Sequence, residues 1–327
     1  MFSARDLTLQ QLRCFVAVAD EGQFTAAADE LRLAQPSISA QIHRLEQVLG
    51  VSLFHRGRRP ITLTDAGTSL LPFARRVLRG VDEVFQGADE LDGLRRGHVT
   101  IGTTPSIGAT LLPLVLARFR SHYPNVSISF VERHSEEIAQ SIEAGTLDLA
   151  LVVGPLVNET LEQTVLAIER MVVVVGVDHE LATRDTIAIR ELRGVPLVMF
   201  HQGYDVRAAT LAAFESAGFA PTIAIDGAEM ATAHSFVAAG IGAAIVPSIV
   251  ATMNNDLHVI HIDDQVMERT ICLVRDVRHT LSRGATALRD EIVEFLNAGL
   301  WPTTDDGSIR SVLSEHQRAD IVTKSRL

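Results

Sequence analysis

The sequence predicts an α/β protein: an N-terminal helix-turn-helix with a basic hairpin wing, a long linker helix, and a larger C-terminal α/β domain. Three observations predict it. Apolar residues recur at helical spacing over roughly the first 50 positions, a 4,3 repeat continues past residue 70, and beyond residue 97 short β-rich runs alternate with amphipathic stretches. The 327 residues leave room for two or three domains, and 47% hydrophobic with 21% charged residues suits a chain with a sizeable core.

In the first segment, Leu9, Leu12, Phe15, Val16 and Ala19 share one face of a helix that ends near Gly22. Thr25 reads as the N-cap of a second helix carrying Ala26, Ala27, Ala28 and Leu31. After the turn Arg32-Leu33-Ala34, a third helix opens with Gln35-Pro36-Ser37, buries Ile38, Ile42, Leu45 and Leu49, and stops at Gly50. Two short helices joined by a tight turn, the second opening with polar residues, describe a helix-turn-helix. Gln35, Ser37, Ser39, Ala40 and Gln41 then lie on or near a face that enters a major groove, and Ser39 and Arg44 are placed to grip phosphates.

Two β-like runs, 51–54 and 61–64, flank His55-Arg56-Gly57-Arg58-Arg59-Pro60, which reads as a wing with a basic tip. From Ala40 to Pro60, Arg44, Arg56, Arg58 and Arg59 stand against Glu46 alone, on a chain whose formal net charge is −11. That overall charge argues against a coat of positive charge for non-specific nucleic-acid binding, which makes the local basic patch informative. A three-helix pattern by itself also describes a small α domain, and an arginine cluster a solvated turn. Their order favours DNA.

From Thr64 to about Leu94 the chain reads as one helix. Leu70, Ala74, Val77, Val81, Val84, Ala88 and Leu91 recur at spacings of 4 and 3, the pattern of a coiled-coil seam, with charged residues flanking it. The competing reading is a helix packed on the core of its own domain. Pairing with a second copy is favoured, because the stripe is narrow.

Asp92-Gly93-Leu94-Arg95-Arg96-Gly97 marks a boundary. Strands are expected at 98–102, 126–131 and 147–153, with helices at 109–122 and 135–144 between them. A second set places strands at 171–177, 196–200, 222–225, 243–246, 259–262 and 270–275, and helices at 204–217, 229–239 and 285–297. Ligands of such folds bind where strand ends meet helix starts. Three segments fit: Thr103-Thr104-Pro105-Ser106, Ser135, and His201-Gln202-Gly203-Tyr204-Asp205. Hydroxyls and free N–H groups there favour an anion such as a carboxylate, although any one Ser or Thr also serves simply as an N-cap.

Other classes find little support. GxSxG, HExxH and P-loop motifs are absent, and Gly240-Ile241-Gly242 precedes a strand rather than following one, so no enzyme and no cofactor is expected. The twelve histidines are scattered, and His258 and His261 should face opposite sides of a strand, so no metal site is expected. Cys14 and Cys272 form no redox or disulfide pattern, which with the absence of a signal segment suggests the cytosol. The apolar stretch Phe236 to Met253 is broken by Gly240, Gly242, Pro247 and Ser248, so no membrane span is expected.

The run Phe24-Thr25-Ala26-Ala27-Ala28, Leu31, Ala34-Gln35-Pro36-Ser37-Ile38-Ser39, Ile42, Leu45-Glu46, Leu49-Gly50, Leu53-Phe54, Arg56 and Leu63-Thr64-Asp65-Ala66-Gly67 resembles the LysR-type transcriptional regulators. The resemblance continues to about residue 300. It implies DNA contacts at Thr25, Gln35, Pro36, Ser37, Ser39, Arg44, Arg56, Arg58 and Arg59, and effector contacts at Thr104, Ser106, Ser135, His201, Gln202 and Tyr204. Ala40 departs from the pattern, standing where many relatives place arginine. Peroxide sensors of the family carry a reactive cysteine where this chain has Asp205, so that chemistry is not expected.

The implied organisation is a winged helix-turn-helix at 1–63, a dimerising linker helix at 64–94 and an effector-binding domain at 98–300. Its two α/β subdomains, 98–165 with 268–300 and 166–267, resemble periplasmic solute-binding proteins; a polar tail, 301–327, follows. The implied function is regulation at an inverted-repeat promoter site by a dimer of dimers, gated by a small, anionic effector. Its partners are double-stranded DNA, the effector, further copies of the chain in a homodimer or homotetramer, and RNA polymerase. The alternative is a small-molecule binding protein or degenerate enzyme with an N-terminal dimerisation module.

Overall fold

The computed structural model describes residues 7–55, 61–89, 97–251, 253, 256–264, 267–301 and 308–312. The chain divides into two compact units, one of Met1–Arg96 with Gln140–Leu147 and one of Gly97–Ala139 with Asp148–Leu327. No helix among the described residues is long and apolar enough to cross a membrane.

The first unit is built on α1 (Leu9–Glu21), α2 (Phe24–Glu30), α3 (Gln35–Leu49) and α4 (Asp65–Asp89). Thr8 and Gln11 form a capping box on α1, and Gly22 and Gly50 end α1 and α3 in the left-handed conformation. Helix α2 starts two residues earlier than a cap at Thr25 requires: Gln23 occupies the cap position without a side-chain bond, and Thr25 is an exposed residue of the first turn. Phe15, Val18, Ala28, Ile38, Leu45 and Leu53 are buried together, with Phe15 meeting Phe54 edge-on at 5.6 Å.

The wing closes as expected up to its tip. Phe54 bridges Leu63 in antiparallel fashion, and the His55 N–H donates to the Thr62 carbonyl at 2.9 Å. Glu46 of α3 accepts from the Leu53 N–H at 2.8 Å, which fixes the wing to that helix. Arg56, Arg58 and Arg59 lie outside the described residues.

Helix α4 does not present the single seam that its spacing suggests. Ala74 is buried in the core of the first unit, with Leu70, Leu71 and Leu78 packed against it. Phe73, Val77 and Val84 are exposed, Val84 at 72%, and with Gly80 they form a second stripe at spacings of 4, 3 and 4. The 4,3 register therefore begins at Phe73, and Leu70 and Ala74 serve the helix's own domain. Leu91 lies outside the described residues.

The second unit begins with β1 (Gly97–Thr103), α5 (Pro105–Ala109), α6 (Leu111–His122), β2 (Val126–Glu132), α7 (Ser135–Glu143), β3 (Leu149–Gly154) and β4 (Leu161–Gly176). It continues with β5 (Thr186–Ile187), β6 (Pro196–Phe200), α8 (Asp205–Ser216), β7 (Thr222–Ala228), α9 (Met230–Ala238), β8 (Ala244–Pro247) and α10 (Ser248–Ala251). Last come β9 (Leu257–Ile262), β10 (Glu268–Asp276), α11 (Arg283–Asn297) and β11 (Ile309–Ser311). The main sheet runs β2-β1-β3-β10-β4-β9-β5, with β8 and β11 also on β4, and β6 pairs with β7 in parallel.

Strand β4 is the spine of this unit. Residues 161–170 pair with β10, and residues 171–176 pair with β8 and β9. The strand starts at Leu161, ten residues before the expected start at 171, and Glu162, Gln163, Glu169 and Arg170 conceal its first half by interrupting the hydrophobic pattern. The expected helix over 109–122 is α6, and a short additional helix, α5, precedes it; the two meet at Thr110, whose hydroxyl donates to the Ser106 carbonyl at 2.6 Å. The segment after residue 301 is not merely a polar tail, since β11 pairs antiparallel with β4 at Ala167, Ile168 and Glu169.

Gly67, in the first turn of α4, allows that helix to pass the wing: a Cβ there would fall against the Leu53 carbonyl oxygen and 2.9 Å from Leu63 Cδ2. Gly67→Ala is expected to cost about 1–3 kcal/mol, the range for forced overpacking. Urea unfolding of the full chain, followed by a probe in the first unit, checks this.

Candidate nucleic-acid interface and ligand site

On α3 the buried stripe Ile38, Ile42 and Leu45 turns the opposite face outward. Gln35, Pro36, Ser37, Ala40 and Arg44 are exposed, and Ser39 is half-buried. The Gln35 amide donates to the Ser39 hydroxyl at 3.1 Å, so two of the expected base-facing residues hold each other across one helical turn. Thr25 is exposed on α2. The turn between these helices rests on Arg32 at φ 53°, a left-handed residue whose N–H reaches the Asp29 carbonyl at 3.2 Å.

In the second unit, the ligand-site candidates lie beyond the carboxyl ends of β1, β2 and β6. Neither Thr104 nor Ser135 turns out to be a simple cap. Thr104 precedes α5, but its buried hydroxyl caps nothing and has no hydrogen-bond partner. The Ser135 hydroxyl donates instead to Asp205 Oδ2 at 3.3 Å, tying the start of α7 to the start of α8. Beside this pair the His134 ring meets the Tyr204 ring edge-on at 4.9 Å. Gly203, at φ 100°, lets the loop approach, since a Cβ there would stand 3.3 Å from the His134 ring. Tyr204 is buried and its hydroxyl donates to Glu229 Oε2. His201 and Gln202 are exposed, and the His201 Nδ1 donates to the Gln202 carbonyl at 2.6 Å.

Ser106 leads to a residue that sequence reasoning did not single out. Its hydroxyl accepts from Arg269 Nη1 at 2.8 Å, and Arg269 Nε donates to Glu169 Oε2 at 2.7 Å. Glu169 is fully buried, and its other oxygen accepts from the Ile249 N–H at 2.6 Å and the Ser248 hydroxyl at 3.3 Å. Arg269 is 9% exposed, and its Nη2 has no partner. A signal was present: Glu169-Arg170 and Glu268-Arg269 are matching dipeptides set into apolar strands, and the β4–β10 register places each Glu opposite the other's Arg. The outer pair, Arg170 and Glu268, meets at 3.7 Å.

The electrostatics are mixed. Protein atoms around the Asp205 carboxyl push its pKa up although the residue is exposed overall; Arg269, the Ser135 hydroxyl and His134 pull it down. Burial, and then the Glu229 and Glu132 carboxylates, drive the Tyr204 phenol well above its ordinary value, so it is a neutral donor. Burial raises the Cys272 thiol to about 11, and Cys14 is likewise buried and raised, which leaves neither as a ready thiolate. Among the described residues no group of three or more His, Cys, Asp and Glu side chains is placed to hold a metal.

The chain matches two family models: the lysR-family bacterial regulatory helix-turn-helix protein over residues 9–68, and the LysR substrate binding domain over residues 92–297. It is 33% identical over 300 residues to the uncharacterised HTH-type transcriptional regulator YnfL of Escherichia coli (strain K12), covering 90% of this chain and 99% of that protein. Another uncharacterised HTH-type transcriptional regulator, YybE of Bacillus subtilis (strain 168), is 35% identical over 243 residues, 73% of this chain and 82% of YybE. Full-length CbnR in complex with its target DNA aligns over 89% of this chain and 99% of that one, with a TM-score of 0.66 and 25% identity. A cysteine-to-aspartate variant of full-length OxyR from Pseudomonas aeruginosa shares the fold at a TM-score of 0.72 and 23% identity, over 88% and 94% of the two chains. These named relatives are regulators, not enzymes.

Because its pKa is raised on folding, Asp205 binds a proton more readily in the folded chain than in the unfolded one. Its ionised form opposes folding, and that opposition fades as pH falls through the folded pKa. Asp205→Asn is therefore expected to melt slightly above the parent at neutral pH, with the difference shrinking on acidification. Thermal unfolding across a pH series checks the sign.

Proposed function

The chain belongs to the LysR family of bacterial helix-turn-helix regulators, and from that premise we propose that it binds an inverted-repeat promoter site as a dimer of dimers, gated by a small carboxylate-bearing effector. The observation that carries the DNA half is the polar, exposed opening of α3, held outward by the buried Ile38, Ile42 and Leu45. In this reading Gln35 pairs with base edges and Thr25, Pro36, Ser37, Ser39 and Arg44 line the groove and its phosphates. Arg56, Arg58 and Arg59 supply the wing's phosphate contacts.

The effector half is supported by the unpartnered Nη2 of Arg269, whose Nη1 is on Ser106, and by the unpartnered hydroxyl of Thr104, two residues before Ser106. Both are donors, and both are buried at strand ends where α/β folds bind ligands. Gln202, His201 and Tyr204 form the facing wall. Ligand binding there favours one of two subunit arrangements and so changes the spacing of the bound dimers. The regulator acts in the cytosol, with RNA polymerase as its further partner at the promoter.

A nuclease footprint of the full chain on the DNA upstream of its own gene, at fixed salt, tests this reading. A protected inverted repeat is expected; DNA left as unprotected as an unrelated fragment would overturn it. Arg58→Ala with Arg59→Ala is expected to lower the slope of log affinity against log salt by about 2, near 0.9 for each lost phosphate contact. Charge on the exposed stripe of α4, as Phe73→Glu with Val84→Glu, is expected to convert the dimer to monomer in sedimentation at micromolar concentration.

A further inference from the structure

We propose that the effector is a zwitterion of the α-amino acid type, its carboxylate taken by Arg269 and Thr104 and its ammonium by Asp205. This rests on the effector-binding reading above and names the ligand's chemistry. Two independent features point to the carboxylate. Arg269 is nine-tenths buried, with Nε on Glu169 and Nη1 on Ser106, and its Nη2 is left without a partner. Thr104, two residues before Ser106, is 5% exposed, and its Oγ1 is also unpartnered. A buried guanidinium nitrogen and a hydroxyl without acceptors select an oxyanion.

The charge around them argues against a bare anion. Glu169 already neutralises Arg269 at 2.7 Å. Asp205 acts electrostatically with Arg269, His134 and Glu136, and Tyr204 with Glu132 and Glu229, so with Glu169 the carboxylates of this cluster outnumber Arg269 and His134 together. A ligand bringing only negative charge would meet that surplus, and a dicarboxylate would meet it twice. An ammonium beside the carboxylate offsets it. Asp205 is the group placed to receive one: it opens α8, its surface is exposed, and Ser135 donates to its Oδ2 at 3.3 Å. Desolvation by the surrounding protein raises the affinity of Asp205 for a proton, and an ammonium beside it would stabilise the ionised form.

The test uses the full chain with two matched sets of probes, the standard protein α-amino acids and the same acids lacking the amine, such as glutamate against glutarate and leucine against 4-methylpentanoate. Thermal shift finds binders and calorimetry measures them. At least one amino acid is expected to bind about tenfold or more tightly than its matched carboxylate. Asp205→Asn should bring that amino acid down to the carboxylate's level, and Thr104→Ala should weaken both; these two variants avoid stranding Glu169 as an Arg269 variant would. A carboxylate that binds as well as its amino acid, is indifferent to Asp205→Asn and is weakened by Thr104→Ala overturns the zwitterion and leaves the effector site standing. Binding by neither set, or binding indifferent to Thr104→Ala, overturns both.

Discussion

The second unit depends on one buried ion pair. Glu169 and Arg269 face each other across the antiparallel β4–β10 ladder at the point where β4 passes from one group of partner strands to the other. Two charges removed from water are tolerated only if their remaining hydrogen-bonding capacity is met. Here the Ile249 N–H and the Ser248 hydroxyl complete Glu169, while Ser106 takes one arm of Arg269. The ion pair thus draws the starts of α5 and α10 to the same spot on the sheet. Because side chains alternate along a strand, the neighbouring Arg170 and Glu268 point the other way and meet nearer the surface. One repeated dipeptide provides both a buried anchor and an outer clasp.

Against that well-satisfied half, the unsatisfied half of the same cluster stands out. Buried polar groups without partners cost stability, and a chain selected only to fold would replace Thr104 with an apolar residue. The same holds for a carboxylate whose ionised form opposes folding. Such groups persist where something outside the chain completes them, so local discomfort and ligand chemistry are read from the same atoms.

Much of the architecture was legible in the residues. Three helices, the wing and most strands followed from periodicity and stop residues, because each buries one face and leaves the other to solvent. What escaped did so for identifiable reasons. The 4,3 pattern of α4 describes a single stripe, but a helix that packs on its own domain and still offers an outer face carries two overlapping stripes, and Leu70 and Ala74 belong to the inner one. The first half of β4 was hidden by charged residues whose partners are far away in sequence. Ser135 and Thr104 were visible as polar helix starts, yet only three-dimensional placement separates a hydroxyl that caps from one that reaches Asp205 or nothing. Arg269 was missed because a single arginine in a strand has no local signature; its meaning lies one hundred residues upstream, at Glu169.

Strand β11 changes where the margin of this α/β domain should be drawn. The family match stops at residue 297, yet β4 is flanked on one side by β10 and on the other by β11, with the Arg170 N–H donating to the Ser308 carbonyl at 2.9 Å and the Val312 N–H to the Leu166 carbonyl at 3.0 Å. A fragment trimmed to the family margin would strip the cover from the very stretch of β4 that holds Glu169. It would leave open backbone donors and acceptors, a template for pairing with a neighbouring molecule. The functional boundary of the domain and its folding boundary are therefore different places, and the later one governs whether an isolated piece stays in solution as itself.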